Sequence, residues 1–384
     1  MAHRNTVISQ LLKVVCRHEF EGLAKAHHKG RALRKTSRWS QFVALTLGQL
    51  SGRVSLRDVE ANMDAQQAHL YHLGTERIAR SSLVRLNQHQ PCTLYEALFA
   101  RLYARCQGLA PRHGFRFKNP LYSLDASLID LSLNLFPWSH YALGKGAIKL
   151  QAGLDHRGMI PAFVDLTDSK VSDSDYAKTL TLPRKSIVVF DRGYNDYGWY
   201  KTLNKQGIYF VTRQRSNARY RVITRSTVDR SSGVTSDQMI RYTSARSRQK
   251  QLPDMRRVGY YDAATRKQYY FITNHTRLCA KTIAEIYKQR WQIELFFKWI
   301  KQNLKIKAFL GTTQNAMMTQ IWIALCVYLL LAYLKFANHL KRSLQQILRL
   351  LQLNLFIKRD LMALLKVDRP PPNINPFQAT LVLS

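Results

Sequence analysis

The sequence predicts an α/β fold, with a mixed-sheet core that carries an all-β insertion and is preceded by a helical N-terminal domain. Before residue 116, apolar residues recur at helical spacing and no segment is typical of a strand. From Tyr122 onward, short runs rich in β-branched and aromatic residues alternate with turn-forming residues, and long helical patterns return after residue 279. With 384 residues, 46% of them apolar, the chain can form one large domain or two ordinary ones.

Residues 1–90 are predicted to form the helical domain, and part of it resembles a helix-turn-helix. An apolar-periodic helix runs from Ser37 to Leu50, and a turn that contains Gly52 follows it. Ser55 and Asp58 have the spacing of a capping box, which predicts the start of a second helix. Residues 91–115 are expected to form a linker helix.

The core is predicted to come from two segments, residues 116–202 and 276–345, with residues 203–275 as the all-β insertion between them. Strand-like runs occupy residues 121–132, 148–154, 161–166 and 186–191, and the insertion repeats the pattern with basic separators. Single helices are expected from Ala280 to Leu304 and from Ala316 to Leu340. Residues 346–384 form a C-terminal helical segment and a tail, in which the prolines after Arg369 prevent a helix.

One segment, Ile321 to Leu334, is apolar all round. At about fourteen residues it is shorter than the ~20 that span a bilayer, so a buried core helix is predicted rather than a membrane anchor. The N-terminus has no secretory pattern, and the five cysteines have no paired spacing that suggests zinc or disulfides. A cytoplasmic, nucleoid-associated protein is expected.

The charge balance predicts a polyanionic partner. The chain has 59 Lys and Arg against 24 Asp and Glu, a formal net charge of +35, and nucleic acid is the usual partner of such a surface. A ribosomal or chromatin-type binder and a basic face on an anionic membrane remain open alternatives. One dense cationic stretch precedes the predicted helix-turn-helix, and we expect its side chains to contact DNA phosphates unless they form an ordinary solvated face: Lys29, Arg31, Arg34, Lys35 and Arg38.

Two aspartates are candidates for catalysis because of their position on strands. Asp125 lies within an apolar strand, where an unpaired charge would cost several kcal/mol, so a metal or a cation must neutralise it. Asp130 is its rival, but strand alternation puts the two on opposite faces. Asp191 follows a buried strand directly and precedes a glycine turn, the edge of an α/β sheet where ligands bind. The alternative for Asp191 is a simple turn cap.

The predicted helix from Ala280 to Leu304 separates into two faces at 100° per residue. Its apolar stripe is formed by Ile286, Ile293, Phe297, Ile300 and Leu304, and its polar row by Tyr287, Arg290, Glu294, Lys298 and Lys301. The row combines one acid with groups able to bind phosphate. The alternative is a plain surface face with a Glu294–Lys298 pair at four-residue spacing.

Taken together, the carboxylates of Asp125, Asp191 and Glu294 predict a metal site. All three are oxygen donors, which suit hard divalent ions such as Mg²⁺. Two such ions about 4 Å apart can stabilise both the attacking and the leaving oxygen of an in-line phosphoryl displacement.

The same residues resemble the DDE transposases of bacterial insertion sequences, specifically insertion-sequence family four. The family's signature is Tyr, two residues, Arg, three residues, Glu, six residues, Lys, and this chain matches it at every spacing with Tyr287, Arg290, Glu294 and Lys301. Asp125-Ala126-Ser127 is similar to the motif of the first aspartate, and Asp191-Arg192-Gly193-Tyr194 is similar to that of the second.

The resemblance implies a ribonuclease-H-like DDE catalytic core and dependence on Mg²⁺ or Mn²⁺, with two ions. It implies cut-and-paste transposition by a homodimer, which brings together the terminal inverted repeats, cleaves through hairpin intermediates and joins the ends to target DNA. The metal ligands would be the three carboxylates. The DNA contacts would include Tyr287, Arg290, Lys298, Lys301, Arg192 and Tyr194.

Two details are left open by the resemblance. Gln151 stands where relatives often carry His, which leaves the role of this position undecided. Relatives also stack a flipped base on an aromatic of the insertion, and the candidates here are Tyr209, Tyr220, Tyr242, Tyr260 and Tyr261. Alternative functions are a ribonuclease-H-like nuclease or integrase without transposon specificity, and a non-catalytic DNA-binding derivative.

Overall fold

The computed structural model describes residues 5–131, 136, 140–142, 145–306 and 309–366. The predicted Arg369 and proline tail therefore lies outside the described residues. The N-terminal helices are α1 (Val7–Leu12), α2 (Arg17–Ala26), α3 (Arg38–Leu50), α4 (Leu56–Ala65), α5 (Gln67–Leu70), α6 (Arg80–His89) and α7 (Thr93–Leu109).

The middle of the chain contains the strands. They are β1 (Leu121–Leu131), β2 (His140–Ala142), β3 (Lys145–Asp155), β4 (Ile160–Asp168), β5 (Ile187–Phe190), β6 (Tyr209–Arg213), β7 (Tyr220–Ser226), β8 (Val234–Tyr242), β9 (Met255–Asp262) and β10 (Lys267–Thr273). The remaining helices are α8 (Asp173–Thr179), α9 (Tyr197–Lys205), α10 (Ala245–Gln249), α11 (Ala280–Gln289), α12 (Trp291–Asn303), α13 (Gln314–Ala337), α14 (Leu344–Asn354) and α15 (Leu361–Lys366).

The capping signals of the N-terminal helices are present as predicted. The Ser37 hydroxyl accepts a hydrogen bond from the Ser40 backbone N–H, and Ser55 and Asp58 form a complete capping box at the start of α4. The turn between the two helices contains Gly52 with φ +69°. However, α3 is buried along almost its whole length and packs against α13. The N-terminal helices therefore share one hydrophobic core with the C-terminal helices.

The ten strands of the described residues form one mixed sheet. Strand β3 lies between β4 and β1 and is antiparallel to both, whereas β5 is parallel to β1 and β6 is parallel to β5. On the far side of β6, β10 pairs in antiparallel fashion and is followed in space by β9, β8 and β7. The strands of the predicted insertion thus extend the core sheet, and β6, the first of them in sequence, pairs with the core strand β5.

The two faces of the sheet are covered by different helices. In β5, Val188 and Phe190 belong to an apolar cluster with α9, while Ile187 and Val189 belong to a second cluster with α11. This separation follows from strand geometry, because successive side chains point to opposite faces. It defines an α9 face and an α11 face of the sheet.

The predicted continuous helix from Ala280 to Leu304 is wrong in one respect, because it is interrupted at Arg290. The Arg290 N–H donates to Tyr287 O and the Ile293 N–H donates to Arg290 O, both at 3.1 Å, so the chain makes tight three-residue turns there. The reason is packing: α11 covers the sheet at β5, β6, β9 and β10, whereas α12 packs on β1 and β3 and joins a different apolar cluster. The predicted apolar stripe is confirmed as buried.

Helix α13 is longer than its predicted apolar run. It has 24 residues and is long and apolar enough to cross a membrane, but 89% of its most apolar 18-residue window is buried inside the protein. It packs against α3, α6 and α7. The prediction of a core helix is confirmed, and its predicted bounds, Ala316 to Leu340, differ from the observed Gln314–Ala337 by two residues at the start and three at the end.

A glycine in the sheet provides a test of this packing. Gly153 of β3 lies opposite Phe163 of β4, and a Cβ at Gly153 would overlap the Phe163 ring. We expect Gly153→Ala to lower the free energy of unfolding by about 1–3 kcal/mol, measured by urea titration. The control is Gly108→Ala in α7, where an added Cβ meets nothing within 4 Å; it should raise stability by roughly 0.5–1 kcal/mol. Equal effects of the two variants would contradict the packing described.

A buried histidine predicts acid sensitivity. His156 is 2% exposed, its Nε2 lies 2.6 Å from Ser123 Oγ, and burial lowers its pKa from 6.5 to about 4. A depressed histidine pKa stabilises the fold above about pH 6.5, and this contribution is lost as the pH falls towards the folded pKa. Between about pH 7 and about pH 5 we expect a loss of roughly 2 kcal/mol in urea unfolding. His156→Gln should lose less than wild type over the same interval, and an undiminished loss would assign it to other groups.

Candidate active site

Asp125 occupies a half-buried position on the central strand β1. Its Oδ1 accepts a hydrogen bond from the Ala126 backbone N–H at 2.9 Å, and 21% of its side chain is exposed. Burial raises the pKa of Asp125 to about 6; the Ala126 N–H and Arg290 oppose this shift, while Asp191 and Glu294 add to it. Asp125 therefore senses the charge of both other predicted carboxylates. Asp130, its rival in the sequence, is exposed further along the strand.

Asp191 follows β5 directly and lies next to Asp125 because β1 and β5 are parallel. Ser123 pairs with Val189 in this ladder, and continuing the register by two residues brings Asp125 beside Asp191. The Oδ1 atom of Asp191 accepts a hydrogen bond from the Gly193 N–H at 2.6 Å, which caps the turn after the strand. Asp191 thus caps its turn, as the alternative to a catalytic role predicts. Its carboxylate also lies at the same end of the strands as Asp125.

Glu294, in the first turn of α12, is connected to Asp125 on β1 through Arg290. The Arg290 guanidinium donates to Glu294 Oε1 at 2.6 Å and to Asp125 Oδ2 at 3.3 Å. It is 85% buried, since its side chain has 15% exposure. The alternative of a plain surface pair between Glu294 and Lys298 is not found, because Glu294 pairs with Arg290 instead and Lys298 is exposed.

The other predicted contacts differ in their accessibility. Lys301 donates to Leu128 O at 2.8 Å, and Tyr287 packs on the Phe271 ring with centroids 4.8 Å apart. Arg192 is exposed. Of the five N-terminal basic residues predicted to contact DNA, four are exposed, namely Lys29, Arg31, Arg34 and Lys35.

Two predicted DNA contacts are wrong because the side chains are buried. Arg38 is 4% exposed and donates to Gln90 Oε1 at 3.2 Å and to Pro91 O at 2.8 Å. Tyr194 is 1% exposed, and its hydroxyl points inward to Gln151 Oε1 at 3.3 Å. In the sequence, Arg38 belongs to a basic stretch and Tyr194 follows Asp191 closely, but only the packing shows that both side chains are turned into the protein.

A buried polar network beneath the carboxylates was missed from the sequence. Gln151 is fully buried; it accepts from Tyr194 and donates to Asp173 Oδ1 at 3.5 Å, which also accepts from Lys149 at 3.1 Å. Gln151 thus connects the Asp191 turn to the start of α8. The sequence analysis did not single out Asp173, because its partner Lys149 lies on strand β3, 24 residues earlier in the chain.

The donor set of the site fits a hard divalent cation. Asp125, Asp191 and Glu294 offer only oxygen ligands, and their mutual repulsion contributes to the raised pKa of Asp125. In the described part of the chain, no three His, Cys, Asp or Glu side chains are grouped closely enough to hold a metal as they stand. Arg290, between Asp125 and Glu294, provides the positive charge in this arrangement.

A cavity of about 290 Å³ opens beside Arg290 on the α11 face of the sheet. It is aromatic and basic, and its lining includes Arg213, Tyr260, Tyr269, Tyr287, Arg290 and Trp291. The Arg213 guanidinium lies 4.8 Å from the centre of the Tyr269 ring, and Trp291 is 56% exposed. Such a cavity can stack a planar group and hold an anion next to it.

Comparisons with known proteins identify the family. A family model described as "Transposase DDE domain" matches residues 117–330, and one described as a domain of unknown function (DUF4372) matches residues 3–76. The "Putative transposase y4zB" of Sinorhizobium fredii is 31% identical over 76% of this chain and 80% of its own length. The "Probable transposase for insertion sequence element IS5377" of Geobacillus stearothermophilus is 27% identical over 68% of each chain.

Two further similarities are more distant. The "Putative transposase for insertion sequence element IS4SA" of Synechocystis is 24% identical over 60% of this chain and 65% of its own length. A solved piggyBac transposase synaptic complex with hairpin DNA covers 97% of this chain and 80% of its own at 10% identity, with a TM-score of 0.47 that is too low to define the fold. Since the DDE model matches more than half of this chain, the protein belongs to the transposase DDE domain family of insertion sequences, whose members are phosphoryl-transfer enzymes.

Proposed function

We propose that this protein cuts an insertion sequence out of DNA and joins it to a target, with Asp125, Asp191 and Glu294 as catalytic metal ligands. The observation that carries the proposal is the Arg290 bridge, which joins strand-borne Asp125 to helix-borne Glu294 over a separation of 169 residues. Asp191 and Glu294 both act on the charge of Asp125, so the three carboxylates share one electrostatic environment. The reaction needs such a group.

The metal would be Mg²⁺ or Mn²⁺, with the three carboxylates as its protein ligands. When bound, two such ions supply stabilisation of the attacking and leaving oxygens of the scissile phosphodiester. Arg290, which pairs with Asp125 and Glu294, would bind a phosphate oxygen of the DNA with its guanidinium. Lys298 and Arg192, both exposed beside the carboxylates, would hold the DNA backbone. Lys301 and Tyr287 would contact phosphates near the cleavage point.

The core would be ribonuclease-H-like. This is supported by the strand order β4, β3, β1, β5 and β6, in which three antiparallel strands precede two parallel ones, and by a carboxylate on the first strand and another after β5. Residues 203–275 would be the insertion, and residues 116–202 and 276–345 the catalytic core. A homodimer would hold the two transposon ends together, and cleavage would proceed through hairpin intermediates. The protein would act in the cytoplasm, on the nucleoid.

The N-terminal helices would bind the terminal inverted repeats through the basic loop before α3. Arg34 and Lys35 line an open cleft of about 730 Å³ together with Tyr71, which is 68% exposed. Helix α4, the second helix of the predicted helix-turn-helix, is a poor reader of DNA because its accessible side chains include Asp58, Glu60 and Asp64. We therefore assign the phosphate contacts to the loop and not to α4.

Among the five candidate tyrosines, Tyr260 is the one we propose to stack a flipped base. It lines the cavity beside Tyr287 and Arg290 on the α11 face. Tyr209 packs on His275 with centroids 4.2 Å apart, and Arg257 lies 5.0 Å from the centre of the Tyr220 ring. Tyr242 is 7% exposed on the α9 face, and Tyr261 points to solvent on the opposite side of β9 from Tyr260.

The catalytic assignment predicts a separation of binding from cleavage. The substrate is duplex DNA that carries the inverted repeats from the borders of this gene, incubated with the protein and Mg²⁺. Asp191→Ala should reduce strand cleavage by at least roughly three orders of magnitude, while its affinity for the duplex in the absence of metal should stay within about twofold.

The matched control for that prediction is Asp130→Ala, which removes an exposed carboxylate from the same sheet region. It should cleave like the wild type. Unchanged cleavage by Asp191→Ala would overturn the site assignment. Nicking by the wild type at random sequences as fast as at the repeats would favour a nuclease without transposon specificity, and repeat binding without any cleavage would favour a non-catalytic derivative.

The base-stacking assignment predicts a difference between two adjacent tyrosines. A 2-aminopurine near the cleavage point should gain fluorescence when it leaves the helix on binding, and stacking on Tyr260 should quench part of that gain. Tyr260→Ala should remove the quenching and slow hairpin formation by about tenfold, from a stacking contribution of ~1–3 kcal/mol. Tyr261→Ala, on the other face of the strand, should behave like the wild type; the reverse pattern would exclude Tyr260.

A further inference from the structure

A second cavity lies on the other face of the sheet from the cavity of Tyr260. Its volume is about 350 Å³, and its lining includes Asn195, Tyr197, Tyr200, Arg215, Arg219 and Tyr242. Tyr200 and Tyr242 belong to the apolar cluster of the α9 face, whereas the cavity of Tyr260 is lined by residues of the α11 face. The two cavities therefore lie on opposite faces of the sheet.

An open groove connects the second cavity to the catalytic carboxylates. The groove runs from Asp191 and Arg192 past Gly193 to the loop after β6, and it shares Arg215 and Asn217 with the cavity. Arg215 lies where the groove and the cavity meet, and its guanidinium donates to the backbone oxygens of Arg192 at 3.4 Å and of Asn195 at 3.3 Å. The groove is therefore continuous with the Asp191 turn.

The charge and chemistry of this path suit a nucleic-acid strand. Arg192, Arg215 and Arg219 are all exposed along it, so it presents positive charge to a phosphate backbone. The acid in the lining, Asp196, caps α9 by accepting the Trp199 N–H at 2.9 Å and is 9% exposed. The end of the path combines the Tyr197 ring with the amide group of Asn217, which can meet the face and the polar edge of a base. The Asn195 amide is bonded to Thr212 and Arg213 of β6.

We propose that the groove and the second cavity bind the DNA strand that flanks the insertion sequence, on the far side of the scissile phosphodiester from the transposon end. This inference rests on the proposed function. A phosphodiester held at Asp191 continues in two directions, and the cavity of Tyr260 on the α11 face is proposed to serve the transposon end. The α9 face then receives the flank: Arg192, Arg215 and Arg219 contact its phosphates, and Tyr197 contacts a base.

The experiment compares two duplexes and two charge-reversal variants. One duplex carries the terminal repeat with flanking DNA, and the other ends at the cleavage point and has no flank. Arg219→Glu reverses a charge in the cavity, and Arg225→Glu reverses an exposed charge on β7, outside the groove. Binding is measured in the full-length protein at several salt concentrations, and 5-iodouracil in the flank is used for photocrosslinking.

We expect Arg219→Glu to weaken binding of the flanked duplex about tenfold. The slope of the binding constant against salt concentration should fall by the amount that corresponds to about one phosphate contact. Its binding of the flankless duplex should stay within about twofold of wild type, and Arg225→Glu should change neither by more than that. Crosslinks from the flank should map to residues 195–197 and 215–219. Equal losses on both duplexes, no loss on either, or flank crosslinks that map to the cavity of Tyr260 would overturn the proposal.

The outcome also separates this inference from the proposed function. If the wild type cleaves the repeat duplex but the flank crosslinks elsewhere, only the assignment of the groove fails. If the wild type neither binds nor cleaves the repeat, the proposed function fails first. A free nucleotide is distinguished by a third arm, in which a nucleoside monophosphate competes for the cavity; competition as strong as that of the flanked strand would count against a strand-binding groove.

Discussion

The Arg290 bridge is the interaction on which the rest of the site depends. Asp125 is half-buried in the sheet, and Glu294 and Asp191 add negative charge next to it. Among the described residues, the buried guanidinium of Arg290 offsets this negative charge. It lies 3.3 Å from Asp125 Oδ2 and 2.6 Å from Glu294 Oε1. Removal of one partner of such a group leaves a charge buried without compensation, which typically costs about 3–5 kcal/mol.

The same bridge explains the interruption between α11 and α12. Helix α11 must cover the strands on one side of the sheet, while α12 must pack on β1 so that its first turn meets Asp125. Neighbouring strands of a twisted sheet are rotated relative to one another, so one straight helix could not lie flat on both groups of strands. The chain changes direction at Arg290, and the residue at the bend is the one that contacts both carboxylates. Arg290 therefore marks the bend between the two helices and also supplies the positive charge of the site.

Exposed basic residues lie on the surfaces proposed to bind DNA. Arg192 and Arg215 line the groove beside Asp191, and a basic loop precedes α3, while α4 carries acidic side chains. Some basic residues serve the fold instead. Arg38 satisfies backbone and side-chain oxygens around α6 and α7, and Arg256 pairs with Asp237 inside the sheet extension. Position in the packing, and not charge alone, separates the two groups.

The sequence by itself determined which three carboxylates are the candidates for the site, the signature around Glu294, the positions of the helix caps and the apolar stripe that becomes buried. Each of these depends on residue type and on spacing within one element. Only the tertiary structure decided that Asp191 lies beside Asp125, that Arg290 joins Asp125 to Glu294, that the helix bends there, and that Arg38 and Tyr194 are buried. These facts depend on strand register and on packing between segments far apart in the chain, and local spacing carries no information about which distant surface a side chain will meet.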